Sequence, residues 1–177
     1  MFNYIVSGTK RTGTSMLMEC VERGGLEICW DESRDTAIRL EQPRNPNAHF
    51  YELELPKQVW MPMTPYRGKC IKAMGTTFMG RDGGPFKVVY MTRDRAAQRQ
   101  SVKFACGQVT NEERQETLDN TFLDRLKDSD QIDSLTILDY DEVIKNPLQS
   151  FCALRNDGWP IDPVKASLGV DPTQKHY

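Results

Sequence analysis

The chain has 177 residues, enough to bury one core and short for two, so a single domain over 1–177 is expected. Hydrophobic residues make up 38% and charged residues 27%, the balance of an ordinary water-soluble globular chain. A formal net charge of −2 excludes a broad basic field for nucleic acid or an anionic membrane; any anion site has to be local, built from a few aimed cations and backbone N–H groups.

Taken in chain order, short apolar runs alternate with helical periods, which predicts an α/β chain. Met1 to Ser7 reads as a strand centred on Tyr4-Ile5-Val6. A Gly/Thr/Ser loop follows, then a helix from Thr14 to Arg23 with Leu17, Cys20 and Val21 on one face and Gly24-Gly25 at its end. Leu26 to Cys29 is a second strand. Residues 30–48 are polar and lack a firm period, so a long loop with at most one helical turn is expected there. Lys69 to Ala73 and Lys87 to Met91 are the third and fourth strands, the latter the clearest buried one. Helices are predicted from Arg95 to Ala105 and from Asn111 to Lys127; Thr110 and Glu113 have capping-box spacing, and Leu118, Phe122 and Leu126 recur every fourth residue. A fifth strand at Leu135 to Leu138 and two short helices, Tyr140 to Lys145 and Leu148 to Asn156, complete the pattern.

The start of the chain has no basic segment leading into an apolar one, so no secretory signal is expected, and no apolar run nears the roughly 20 residues of a membrane helix. Cys20, Cys29, Cys70, Cys106 and Cys152 are odd in number and never form Cys-x-x-Cys; buried free thiols in a reducing cytoplasm are the expectation. With only His49 and His176 present, a histidine metal cluster is not expected.

The chemistry is concentrated in Ile5-Val6-Ser7-Gly8-Thr9-Lys10-Arg11-Thr12-Gly13-Thr14-Ser15. A strand runs into a loop whose glycines stand five apart, then directly into a helix. That is the spacing of a phosphate-binding loop: glycines let successive N–H groups turn inward, and the helix N-terminus adds a positive dipole. A Walker lysine would occupy position 14, where Thr14 stands; the cations Lys10 and Arg11 lie earlier, which suits a two-unit anion better than a triphosphate. The bland alternative is a basic turn that caps a helix. A second feature sits after the fourth strand, in Thr92-Arg93-Asp94-Arg95 with Ser101 eight residues beyond Arg93. An arginine at the carboxyl end of a buried strand lies where open α/β sheets hold ligands, and its fork can grip phosphate; a helix-start salt bridge is the bland alternative.

These two segments resemble the sulfotransferase superfamily, of the small bacterial or phage-like type. Lys10-Arg11-Thr12-Gly13-Thr14-Ser15 is similar to that family's 5′-phosphosulfate loop, and Arg93 with Ser101 to its 3′-phosphate motif. Lys10 and Arg95 both replace prolines common there. Leu138-Asp139-Tyr140-Asp141-Glu142-Val143, followed by Asn146-Pro147, is similar to a structural segment of the family. The likeness runs to about Leu154, is least between Trp30 and Gln58, and lacks the glycine-rich C-terminal nucleotide segment.

The resemblance implies a three-layer P-loop NTPase-like fold with a central parallel sheet flanked by helices. It implies transfer of a sulfuryl group from 3′-phosphoadenosine 5′-phosphosulfate to a hydroxyl or amine of a small-molecule or carbohydrate acceptor, with adenosine 3′,5′-bisphosphate as product and no metal. Lys10, Arg11, Thr12, Gly13, Thr14, Ser15, Arg93 and Ser101 would bind the nucleotide. Lys72 fits the family's catalytic lysine, whereas Met74 stands where many members have the basic histidine. Several bacterial relatives use a glutamate after an Asn-Pro-x-Gly-x-aromatic-Glu stretch; Asn45-Pro46-Asn47-Ala48-His49-Phe50-Tyr51-Glu52 is similar, with Ala48 for the glycine. Glu52 is therefore the first candidate base, His49 the second and Glu54 the third. Two alternatives stay open: a nucleotide or small-molecule kinase on the same fold, and a catalytically silent nucleotide-binding module. Nucleic acid and membranes are not expected partners.

Overall fold

The computed structural model describes residues 1–41, 49–53, 62–106 and 112–171. Strand β1 (Asn3–Gly8) is buried along its whole length and leads into helix α1 (Thr14–Arg23). Strand β2 (Ile28–Cys29) and helix α2 (Glu32–Glu41) follow, then β3 (Cys70–Lys72) and β4 (Phe86–Thr92). Helices α3 (Arg95–Cys106) and α4 (Glu112–Lys127) precede β5 (Ile132–Asp139), and α5 (Tyr140–Lys145), α6 (Pro147–Asn156) and α7 (Pro163–Ser167) come after it.

The five strands form an all-parallel sheet in the order β2-β3-β1-β4-β5. Side chains of a strand alternate between faces, and in β1, β3 and β4 both faces are buried. Tyr4, Val6, Cys70, Val89 and Met91 enter one apolar cluster, with Leu17 and Met18 of α1, Phe151 of α6 and Trp159. Ile5, Ile71, Val88 and Tyr90 enter the other, with Phe78 and with Leu126 of α4. Helices therefore flank the sheet on both sides.

This arrangement places a crevice. Strands β1 and β4 are neighbours, and their crossovers run to opposite faces: α1 after β1 packs on the first cluster, whereas β4 is followed by α3 and then by α4, which packs on the second. Open parallel sheets bind ligands at such switch points, beside the carboxyl ends of the strands. Gly8–Gly13 and Arg93 lie on the two sides of the crevice.

Three expectations need correction. Residues 32–41 are a helix of ten residues rather than loop. Asp31 starts it, its Oδ1 accepting from Ser33 N at 2.9 Å and Arg34 N at 3.2 Å. Among its described side chains, at residues 32–38, the one that is fully buried is the charged Asp35. After α6 a further helix, α7, is capped by Asp162 and buries Ala166. The thiols are also less uniform than expected: Cys20 and Cys70 are buried, Cys29 is half-buried, Cys152 is exposed, and all four are free. Burial pushes Cys20 up to about 12, which makes it inert. Thr110 lies outside the described residues, as does the Cys106 side chain. No described helix is long and apolar enough to cross a membrane.

Candidate functional site

The loop between β1 and α1 can be built only with glycine at its ends. A Cβ on Gly8 would lie 2.8 Å from the Met91 carbonyl oxygen, and one on Gly13, at φ 93°, would lie 2.3 Å from the Tyr140 ring. Between them Arg11 takes φ 69°, a left-handed conformation that costs a side-chain-bearing residue about 1–2 kcal/mol. Neighbours hold it there. Gln98 Nε2 donates to Lys10 O at 2.7 Å, Arg93 Nη1 reaches Arg11 O at 3.4 Å, and Arg11 Nε donates to Ser101 Oγ at 3.0 Å. Thr12 Oγ1 donates to Thr9 O at 2.8 Å, so that hydroxyl braces the loop from within. Lys10 projects into solvent.

Helix α1 begins at Gly13 with no side-chain cap and no acidic residue in its first turn. Its first N–H groups and its positive dipole end thus meet no carboxylate from the helix's own first turn. Thr14 is buried and Ser15 half-buried in that turn.

Arg93 follows β4, its guanidinium stacked 4.3 Å from the Tyr140 ring centroid. Its Nε is buried and makes no hydrogen bond among the described residues. Ser101, on α3, is fully buried rather than a surface serine. The structure thus joins Arg11, Arg93 and Ser101 in one cluster. Asp94 caps α3, with Oδ1 accepting from Ala97 N at 2.9 Å, and Arg95 turns away to Asp119 of α4.

Lys72, the last residue of β3, is buried, and its Nζ meets Glu52 Oε1 at 2.7 Å, Ser15 Oγ at 3.2 Å and the Phe50 carbonyl oxygen. Burial lowers its pKa from 10.5, with Arg11 adding in the same direction; Glu52 and Asp35 pull it back up. Asp35 shapes the segment that brings Glu52 in. Its buried Oδ1 accepts from Phe50 N and Tyr51 N, both at 2.7 Å, and Tyr51 takes φ 55°. Asp31 N donates to Glu52 O at 2.9 Å.

His49 lies half-exposed against Asp35 Oδ2 at 3.5 Å, with Trp30 and Tyr51 as ring neighbours. Glu54 and the 45–48 stretch lie outside the described residues. Of the sequence candidates, then, the fold gathers Arg11, Gly13, Ser15, Lys72, Glu52, Arg93 and Ser101 around one crevice. Gln98, Asp35 and Tyr140 were missed as supporting residues; nothing local in the sequence distinguishes the first two, while Tyr140 carried only a structural expectation. Among the described residues no three His, Cys, Asp or Glu side chains are disposed to hold a metal ion.

A scan of protein-family models finds none that matches this chain, and a search of curated proteins finds no match either.

Proposed function

We propose that the chain is a sulfotransferase of P-loop type that moves a sulfuryl group from 3′-phosphoadenosine 5′-phosphosulfate to the hydroxyl or amine of a small-molecule or carbohydrate acceptor. The observation that carries this is the Lys72–Glu52 pair, whose Lys72 Nζ also lies 3.2 Å from Ser15 Oγ in the first turn of α1. A cation and a carboxylate stand together at the mouth of an anion loop, as in-line group transfer to a hydroxyl requires.

The residues present suit such a donor. The uncapped start of α1 with Arg11, Gly13, Thr14 and Ser15 fits the 5′-phosphosulfate end. Arg93, whose buried Nε has no acceptor among the described residues, and Ser101 fit the 3′-phosphate. When bound, the donor supplies a phosphate-activated sulfuryl group. The chain does the rest: backbone N–H groups and arginines fix the anion, and Lys72 offers positive charge beside Ser15. Glu52 takes the proton of the acceptor.

A kinase is less well supported, because Thr14 stands where the triphosphate lysine belongs and Asp94 is engaged as a helix cap. Incubation with donor labelled in the sulfuryl group and a panel of sugar, phenol and amine acceptors tests the proposal. Labelled ester or sulfamate is the expected product; binding of the bisphosphate without any turnover would identify a silent module instead.

A further inference from the structure

Arg95 occupies a position left unexplained by the anion site, and its contacts lead back to the loop. Its Nη1 is bound by Asp119 Oδ2 of α4 and donates to Gln98 Oε1 at 3.2 Å. Asp119 is itself buried and fixed by Tyr90, whose hydroxyl donates to Oδ1 at 2.8 Å. Gln98, one turn along α3 from Arg95, is buried as well. Its Nε2 donates to Lys10 O at 2.7 Å and to Thr9 Oγ1 at 3.1 Å.

An amide can usually flip, but not here. Arginine has only donors, so Gln98 must present its oxygen to Arg95; a carbonyl only accepts, so Gln98 must present its nitrogen to Lys10. Both ends demand the same orientation. In a planar trans peptide the Lys10 C=O and the Arg11 N–H point oppositely, so fastening that carbonyl to α3 turns the Arg11 N–H away from α3. Arg11 is itself the residue at φ 69°, a conformation that persists only when its surroundings over-determine it.

We infer that Gln98 is a positioning residue for the anion loop, and that the Asp119–Arg95 pair on the α4 side sets its orientation. The loop's shape is thereby governed from α4 through two intervening side chains, Arg95 and Gln98. This rests on the loop being an anion site, yet it acts on the empty loop too.

Two variants of the full chain, Gln98→Glu and Gln98→Met, remove the donor, the first with a carboxylate facing the Lys10 carbonyl and the second with a neutral chain of similar length. Asp119→Asn disturbs the relay at its far end. Amide hydrogen exchange of residues 9–13 and calorimetry with inorganic pyrophosphate are read on each, with thermal melts to establish folding. Exchange faster than wild type in all three variants is expected, together with pyrophosphate affinity weakened about tenfold for the Gln98 variants, the scale of one lost hydrogen bond. Unchanged loop exchange in folded Gln98→Glu and Gln98→Met would overturn the inference, as would an effect absent from Asp119→Asn. If wild-type protein binds no pyrophosphate while the variants still loosen the loop, the relay stands and the anion site falls.

Discussion

The Lys72 ammonium lies 2.7 Å from the Glu52 carboxylate, although one residue ends a buried strand and the other closes a segment held by Asp35. A buried cation needs a partner, and this one also touches the first turn of α1 through Ser15. If Glu52 is the base, Glu52→Gln keeps an oxygen for Lys72 but cannot take a proton. Turnover should fall about 10²-fold or more, with bisphosphate affinity nearly intact. Steady-state rates beside calorimetry check this; an unchanged rate would move the base to His49.

Lys72 also makes stability depend on pH. Burial lowers its pKa in the folded chain below 10.5. Between that lowered value and 10.5 the unfolded chain binds more protons, so stability rises with pH through this window. The contribution is fully present above 10.5 and is lost as pH falls through the folded value. Urea melts of wild type and Lys72→Met across alkaline pH should show it as a difference: the stability of wild type relative to the variant rises through this window, while groups such as Cys20 and Tyr51 titrate alike in both.

Backbone geometry separates two substitutions at Arg11. Both Arg11→Gly and Arg11→Ala lose the guanidinium and should weaken bisphosphate binding, by roughly 1.5–3 kcal/mol if a charged hydrogen bond is lost. Only glycine relieves φ 69°, so Arg11→Gly should be more stable than Arg11→Ala by about 1 kcal/mol. Equal melting of the two would show that the loop relaxes without strain. Arg93→Ala should weaken the same binding on a similar scale.

Asp35→Ala strips the acceptor from the Phe50 and Tyr51 amides, both buried. The expected loss is about 1–3 kcal/mol for each amide left unpaired, read by denaturant unfolding. Asp35→Asn retains an oxygen and should lose less.

Local pattern was enough for the sheet and for α1. The stripe of Leu17, Cys20 and Val21 and the closing Gly24 mark that helix from end to end, and all three side chains are buried. It was not enough for α2, whose one buried residue among the described side chains is a carboxylate, nor for α7, five residues long with one buried alanine. The loop and Arg93 stand out because strand, glycine spacing and charge coincide within a few residues. Gln98 could not: one glutamine on a helix becomes meaningful only when folding brings it against a carbonyl 88 positions away. The pairing of Lys72 with Glu52 was likewise invisible, since two separate segments each supply half of it.

Calorimetry at fixed ionic strength tests the central claim most directly, comparing adenosine 3′,5′-bisphosphate without magnesium against ATP with magnesium. Tight binding of the bisphosphate, lost in Arg93→Ala, and little binding of ATP is the predicted result. ATP with magnesium binding the better of the two would contradict it.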